Sequence, residues 1–380
     1  MGTRVGGDAR TVGRMSSPAP APLDLAGDVV DLARALCDVP SVSGDERAVA
    51  DLVEAALRGC AHLEVLRDGD AVVARTALGR AERVVVAGHL DTVPIAGNVP
   101  SRLEGHGDAA VLVGRGSVDM KSGVAVQLAV AAAVADPVRD VTWVFYDHEE
   151  VDSSLNGLGR LAREHPAWLA GDFAVLCEPT SAGVEGGCNG TLRAEVVVRG
   201  RAAHSARSWL GLNAIHAAGE VMARLSAYRP RRAEVDGLVY REGLNAVGIR
   251  GGVAGNVIPD ECVTTVNFRF APDRSVAQAE AHVREVFAGL EVRVTDAAPG
   301  ARPGLDHPAA AAFLAVIGGE ARAKEGWTDV ARFSALGVPA VNYGPGDPLQ
   351  AHTDGERCPA SDVYACQRVL TAWLSGEPAA

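Results

Sequence analysis

The sequence predicts an α/β fold, an α/β/α layered domain into which a smaller ferredoxin-like βαββαβ unit is inserted. Three observations point there. Continuous apolar runs alternate with helical patterns through residues 23–187, as in a sheet covered by helices on both faces. From about residue 188 the strand-like runs change to apolar–polar alternation, which suits a sheet with one free face. Near residue 299 the pattern of the first part resumes. The expected organisation is a tail at 1–22, a large domain from 23–187 and 299–380, and an inserted domain at 188–298.

The elements follow in chain order. Residues 1–22 are rich in Gly, Arg, Ser and Pro and lack the apolar core of a secretory signal, so a disordered tail is expected, with Met15 an alternative start to Met1. "DVVDLARALCDVPSVSGDERAVADLVEAALRGC" carries two helical patterns around a "PSVSGDE" break. Ser43 or Asp45 is expected to cap the second helix, with Glu46 in its first turn. "HLEVLRDGDAVVART" contains two short strands, and "RVVVAGHLDTVP" a buried strand that ends at His89. "VDMKSGVAVQLAVAAAVA" is a buried helix opening just after Asp119. "DVTWVFYDHEE" is a strand, "GLGRLAREHPAWL" a helix and "DFAVLCEPT" a strand. The insert reads "GTLRAEVVVRG" (strand), "GLNAIHAAGEVMARLSA" (helix), "LNAVGIRGG" and "ECVTTVNFRF" (strands), "SVAQAEAHVREVFAGL" (helix) and "EVRVTDAAPG" (strand). "HPAAAAFLAVIGG", "GVPAVNYGPG" and "ASDVYACQRVLTAWLSG" then close the large domain as helix, strand and helix.

Composition narrows the function. The chain has 380 residues, 48% of them hydrophobic, enough for a full core and more than one domain. A net charge of −12 argues against nucleic-acid or anionic-membrane partners, while leaving room for local arginines to hold acidic substrates. Seven cysteines, odd in number and without a C-x-x-C pair, suit reduced thiols in a cytoplasm. No apolar stretch of about 20 residues is present to span a membrane.

In open α/β sheets ligands gather at the carboxyl ends of the strands. The expected strand ends here carry His89 and Asp91, Glu149 and Glu150, and Glu178; Asp119 precedes a helix, and His352 lies in a loop before the last one. Each has a plain structural explanation: a hydrogen-bonded His-x-Asp pair, a solvated acidic strand end, a turn before Pro179, an acid at a helix N-terminus. Together, two imidazoles and several carboxylates from separate strand ends make a zinc-type donor set. There are more donors than one ion needs, which suggests two ions sharing a bridging carboxylate. One of the adjacent glutamates can then bind metal while the other carries protons. Strand alternation should point His148 away from Glu149, outside the donor set.

"GHLDTVP", "GRGSVDMKSG", "DHEE", "CEPT", "AHSAR" and "AHTDGE" together resemble the two-zinc aminoacylase/carboxypeptidase family of metallohydrolases, from about residue 25 to the C-terminus. The resemblance implies a zinc-peptidase-like catalytic domain and an insert that dimerises and covers the cleft. It implies two Zn2+ per chain, with Co2+ able to substitute. His89 and Glu178 would hold one ion, Glu150 and His352 the other, and Asp119 both. Asp91 would fix the His89 tautomer, and Glu149 would be general base and then acid. His204 would reach the partner subunit's site to stabilise an oxyanion. Asn256 and Arg269 match family positions that hold a substrate carboxylate, and Arg207, three residues after His204, is a further candidate. Within the family, "VFYDHEEVDSSLNGLGRL" and "LCEPTSAGVEGGCNGTLRAEV" look most like the branch that desuccinylates N-succinyl-LL-2,6-diaminopimelate in lysine biosynthesis. The expected substrate is thus a small N-succinyl amino acid, and the expected assembly a cytoplasmic homodimer. A related deacylase of the acetylornithine type, a carboxypeptidase, and a metal-free scaffold on the same fold are the alternatives.

Overall fold

A computed structural model describes residues 21–377. The tail expected at 1–22 lies outside the described residues except for its last two positions. Six strands come first: β1 (Glu64–Asp68), β2 (Ala71–Arg75), β3 (Arg83–His89), β4 (Asp140–Tyr146), β5 (Phe173–Leu176) and β6 (Glu185–Gly186). Four longer strands follow, β7 (Gly190–Arg199), β8 (Gly243–Gly251), β9 (Glu261–Phe270) and β10 (Glu291–Ala298). Then come β11 (Arg322–Ala323) and β12 (Ala340–Asn342). They form an eight-stranded mixed sheet in the order β1-β2-β4-β3-β5-β12-β6-β11 and a four-stranded sheet in the order β8-β9-β7-β10.

The large sheet is apolar on both faces because alternate residues of each strand enter different cores. Val72, Val84, Val86 and Val175 pack with the helices Val29–Cys37, Lys121–Ala133 and Ala360–Ser375. Val73, Val85, Ala87, Ala174 and Leu176 pack on the other side with Gly157–Glu164 and Val330–Ala335. Each fully buried Val or Leu contributes about 1.5–3 kcal/mol. Two apolar faces leave register to polar groups at the strand ends. Asp140, buried at the start of β4, accepts from Thr76 Oγ1 (2.8 Å), Leu78 N (2.9 Å) and Arg80 N (2.9 Å).

The small sheet is antiparallel throughout. The helices Gly219–Ala227 and Val276–Val286 cover one face, over Leu192, Ala194, Val196, Val266 and Phe268. A capping box between Ser275 and Gln278 starts the second of them. Cys188 and Ala301 exchange backbone hydrogen bonds of 2.9 and 3.1 Å where the chain leaves and rejoins the large sheet. β8 is an edge strand, and Val247 and Ile249 on it are 61% and 58% exposed.

Several local expectations are corrected. Neither Ser43 nor Asp45 caps the helix Arg47–Arg58: Glu46 is the N-cap residue, without a side-chain cap bond. Ser43 is drawn away by a 2.6 Å bond to Asp91, and tertiary bonding overrides the local signal. The helical pattern at 211–227 splits at Ala218 into Ala214–Ala217 and Gly219–Ala227. β4 stops at Tyr146, and His148 takes a left-handed φ of 58°, so strand alternation does not govern His148, Glu149 or Glu150. Nothing in the local pattern signals a three-stranded ribbon, Arg102–Glu104, Val111–Val113 and Arg357–Pro359, which joins distant parts of the chain.

Gly123 fits the helix Lys121–Ala133 directly against the end of β5: a Cβ there would lie 2.3 Å from Cys177 O and 3.0 Å from Cys177 Cβ. Overpacking of this kind costs about 1–3 kcal/mol. Gly123→Ala is expected to lower the urea midpoint accordingly; an unchanged midpoint would mean that helix and strand can part freely.

Candidate metal centre

β3 runs parallel between β4 and β5, with His89 opposite Tyr146. Three neighbouring strands therefore discharge His89, the segment Asp147–Glu150 and Glu178 at one edge of the sheet. Asp119 arrives beside them just before the helix Lys121–Ala133, joined to Met120 by a cis peptide. His352 comes from an exposed loop and has a left-handed φ of 63°.

The donor atoms converge. Asp119 Oδ1 lies 3.0 Å from His89 Nε2, and Asp119 Oδ2 lies 3.3 Å from His352 Nε2. His352 Nε2 is also 2.9 Å from Glu150 Oε1. Three triads at the site have donor atoms mutually within 4.8 Å, His89–Asp119–Glu178, Asp119–Glu150–His352 and His89–Glu149–Glu150, and Asp119 belongs to the first two. Glu178 Oε1 is buried with no hydrogen-bond partner. An acceptor left so is costly unless a cation meets it. Imidazole nitrogens, carboxylate oxygens and this orphaned atom fit a pair of divalent ions.

Asp91 is fully buried, and its position differs in detail from the expected one. His89 Nδ1 is nearer to the Asp91 backbone carbonyl (3.0 Å) than to Asp91 Oδ1 (3.5 Å). The carboxylate is occupied elsewhere. Oδ1 accepts from Glu149 N (3.0 Å), and Oδ2 from Glu150 N (3.0 Å) and Ser43 Oγ (2.6 Å). It thus holds the segment that bears both glutamates. His148 turns to Asp147 Oδ2 (2.8 Å) and Glu46 (3.4 Å), away from the donor cluster.

Crowded acids shift one another. Burial pushes the Glu149 carboxyl well above its usual range; His89 opposes this, and Glu178, Asp329 and Glu150 add to it. Burial also raises Glu178, to about 7, with Asp119 reinforcing it. Hydrogen bonds to Asp119 and Glu150 raise His352 to about 10. Burial would raise Asp91, yet its bonds to His89, Ser43 and the Glu149 amide hold it down at about 2.

Two cavities flank Glu149. One, of about 420 Å3, is lined by Thr191, Arg193, Arg269, Trp327 and Arg332. The other, of about 460 Å3, is lined by Asp119, Glu178, Lys324, Trp327 and His352. Trp327 borders both, with the Arg332 guanidinium 5.5 Å from its ring centre. Arg269 thus lies beside Glu149, but His204, Arg207 and Asn256 line neither cavity of their own chain. They cluster on the insert. His204 pairs with Val257 in a two-residue ribbon, its Nδ1 accepts from Ala206 N (3.0 Å), and Asn256 O accepts from Ser205 N (2.9 Å). Sequence reasoning missed Trp327, Arg332 and the buried Asp329, which receives Asn156 Nδ2 at 2.9 Å and Arg332 Nε at 2.5 Å. Only the acid–arginine pattern of "TDVARF" hinted at them.

The profile of peptidase family M20/M25/M40 matches residues 85–375. A Mycobacterium tuberculosis protein, provisionally named succinyl-diaminopimelate desuccinylase, is 57% identical over 93% of this chain and 100% of its own length. The succinyl-diaminopimelate desuccinylase of Corynebacterium glutamicum is 46% identical over 95% of this chain and 100% of its own. Among solved structures, a tripeptidase from Staphylococcus aureus superposes with a TM-score of 0.75 at 19% identity, covering 93% of this chain and 99% of that one.

The donor geometry leads to an expected content of two divalent ions per chain, stripped by a chelator. In Asp119→Ala both should be weakened together, by elemental analysis after dialysis. Full retention of one ion would show two independent sites.

Proposed function

The chain belongs to peptidase family M20/M25/M40, and from that premise we propose that it hydrolyses N-succinyl-LL-2,6-diaminopimelate to succinate and LL-2,6-diaminopimelate, a step in lysine biosynthesis. Similarity to named desuccinylases over their full length supports this substrate. The observation that carries the chemistry is Asp119, whose two carboxylate oxygens face separate donor sets with Glu149 between them and the arginine cavity.

His89 and Glu178 would hold one zinc ion, Glu150 and His352 the other, and Asp119 both; cobalt offers the same coordination. Bound there, the ions supply Lewis acidity that polarises the amide carbonyl and acidifies water. Glu149 takes the proton from the attacking water and returns it to the departing amine. The new C–O bond forms first, leaving a tetrahedral oxyanion on the former carbonyl carbon; its collapse breaks the C–N bond as the amine takes the proton, and one water is consumed. A burial-raised carboxyl suits both halves of that transfer. Arg269, exposed on β9, would grip the succinyl carboxylate in its cavity, with Thr191 and Arg193 beside it.

The remaining groups fit a homodimer. β8 exposes its edge, and elsewhere on the insert Trp209 (74%), Leu212 (56%) and Val253 (84%) leave apolar surface. An unpaired edge of this kind is a liability unless covered. Edge-to-edge pairing across a two-fold axis would join the two small sheets. It would turn the His204 cluster, with Arg207 and Asn256, towards the partner's cleft, His204 serving as oxyanion donor. Free thiols at all seven cysteines accord with a cytoplasmic location, and among the described residues no helix is long and apolar enough to cross a membrane.

The test is a substrate panel of N-succinyl-LL-2,6-diaminopimelate, N-acetylornithine and dipeptides. Highest kcat/KM on the first is expected; preference for either other class would reassign the enzyme. Glu149→Ala should keep its ions and lose about 10²–10⁴ in kcat, whereas Glu150→Ala should lose one ion. Equal metal loss in both would exchange or merge their roles.

His204→Ala should lower turnover by about 10²–10³ with metal content unchanged. Mixing Glu149→Ala with His204→Ala should restore activity, towards one working site per heterodimer. No recovery after proven subunit exchange would mean that His204 does not act across the interface.

A further inference from the structure

We infer that the buried ion pair Arg115–Glu356 positions the metal centre, tying together the loop that follows His89 and the loops that carry Asp119 and His352. The inference rests on the proposed two-ion site and extends it to residues that touch neither ion nor substrate. The two side chains are 4% and 1% exposed, and Arg115 Nη1 lies 2.8 Å from Glu356 Oε2. A buried pair is repaid only when its remaining donors and lone pairs find partners. Here those partners are backbone groups of the ligand loops. Glu356 Oε1 accepts from Val118 N (2.9 Å) and Asp119 N (3.1 Å), which fixes the peptide that aims the shared carboxylate. Arg115 Nη1 also donates to Thr353 O (3.2 Å), next to His352, and Arg115 Nε to Pro94 O (3.1 Å), just beyond His89 and Asp91.

His352 needs such an anchor. Its side chain is 53% exposed and its backbone is left-handed, a conformation non-glycine residues hold only when their surroundings impose it. Glu356, four residues on, is the first buried residue after it. The ribbon pairing Arg357 with Val113 carries the chain back to Arg115, and Asn98 Nδ2 to Asp354 O (3.3 Å) adds one further tie. Loss of the pair should loosen Asp119 and His352 together, and so weaken both ions rather than one.

An ordinary core ion pair would give a different result, so the test separates fold from metal. Glu356→Gln alone strands a buried guanidinium; the informative variants are the neutral double change Arg115→Met with Glu356→Gln, and Glu356→Asp. The aspartate keeps the charge but is one methylene short of serving Arg115 and both amides. Metal-free proteins are compared by thermal melting in chelator and then titrated calorimetrically with Zn2+. The expected result, in whichever variant folds, is a melting temperature close to wild type with both Zn2+ affinities reduced about 10–100-fold. Affinities within twofold of wild type would overturn the inference and leave a purely structural pair, as would a drop confined to one ion. A variant that melts far lower yet binds both ions normally would overturn it equally. Wild-type protein that binds no Zn2+ would instead sink the two-ion reading itself, which keeps the two failures apart.

Discussion

Carboxylates crowd at the carboxyl ends of the three central parallel strands of the mixed sheet, and the surroundings of those ends are arranged to hold them against mutual repulsion. Two kinds of acid do different work. Asp91, Glu356 and Glu46 are fully buried, and their oxygens accept backbone N–H groups: Glu149 and Glu150 on Asp91, Val118 and Asp119 on Glu356, Gly44 and His148 on Glu46. These acids shape the loops. Asp119, Glu150 and Glu178 are held by the loops instead and turn oxygens towards imidazoles or, for Glu178 Oε1, towards no protein donor. Asp91 and Glu356 engage both of their oxygens with protein donors, whereas Glu178 leaves Oε1 free for a ligand. Charge-assisted bonds to backbone amides are strong and directional, so the shaping acids can fix loop geometry to the precision that metal coordination needs.

This division explains which parts of the fold were legible in the sequence. Buried strands announce themselves through continuous valines, as in Val84–Val86, and the half-exposed strands of the insert through alternation, as in Gly190–Arg199. Ligand acids were visible because they lie at the ends of such strands. The shaping acids were not, since their partners are distant in sequence and chosen by the fold: Ser43 lies 48 residues from Asp91, and Arg115 lies 241 from Glu356. The failed cap at Ser43 has the same origin. A hydroxyl that would locally cap a helix is worth more on the carboxylate that anchors Glu149 and Glu150. His148 does lie outside the donor set, though not through alternation: β4 ends at Tyr146, and the turn that follows is shaped by bonds to Asp91 and Glu46.

The insert poses a different limit. Its pattern of helices and strands was readable, whereas the neighbourhood of its polar residues was not, because local sequence says nothing about where one sheet lies against another. Thr191 and Arg269 are paired across β7 and β9, as are Arg193 and Asn267, which sets their side chains on one face of that sheet. Thr191, Arg193 and Arg269 reach the cavity beside Glu149, while His204, Arg207 and Asn256, from the same insert, do not.

The two cavities give Glu149 its setting. Arginines line one side and the donor cluster the other, and Trp327 stands at the border of both with Arg332 stacked on it. An amide bound across that border would present its carbonyl to the donor cluster and an acyl carboxylate to the arginines. The donor cluster is fixed by strand ends and buried acids of the large sheet. The arginines Arg193 and Arg269, by contrast, sit on strands of the insert, whose exposed positions can change without disturbing a core. On the proposed reading, reaction chemistry would be carried by the large sheet and much of the substrate choice by the small one. On this arrangement a change of acyl group would need new residues on β7 and β9 and leave the geometry of Asp119, Glu149 and His352 untouched.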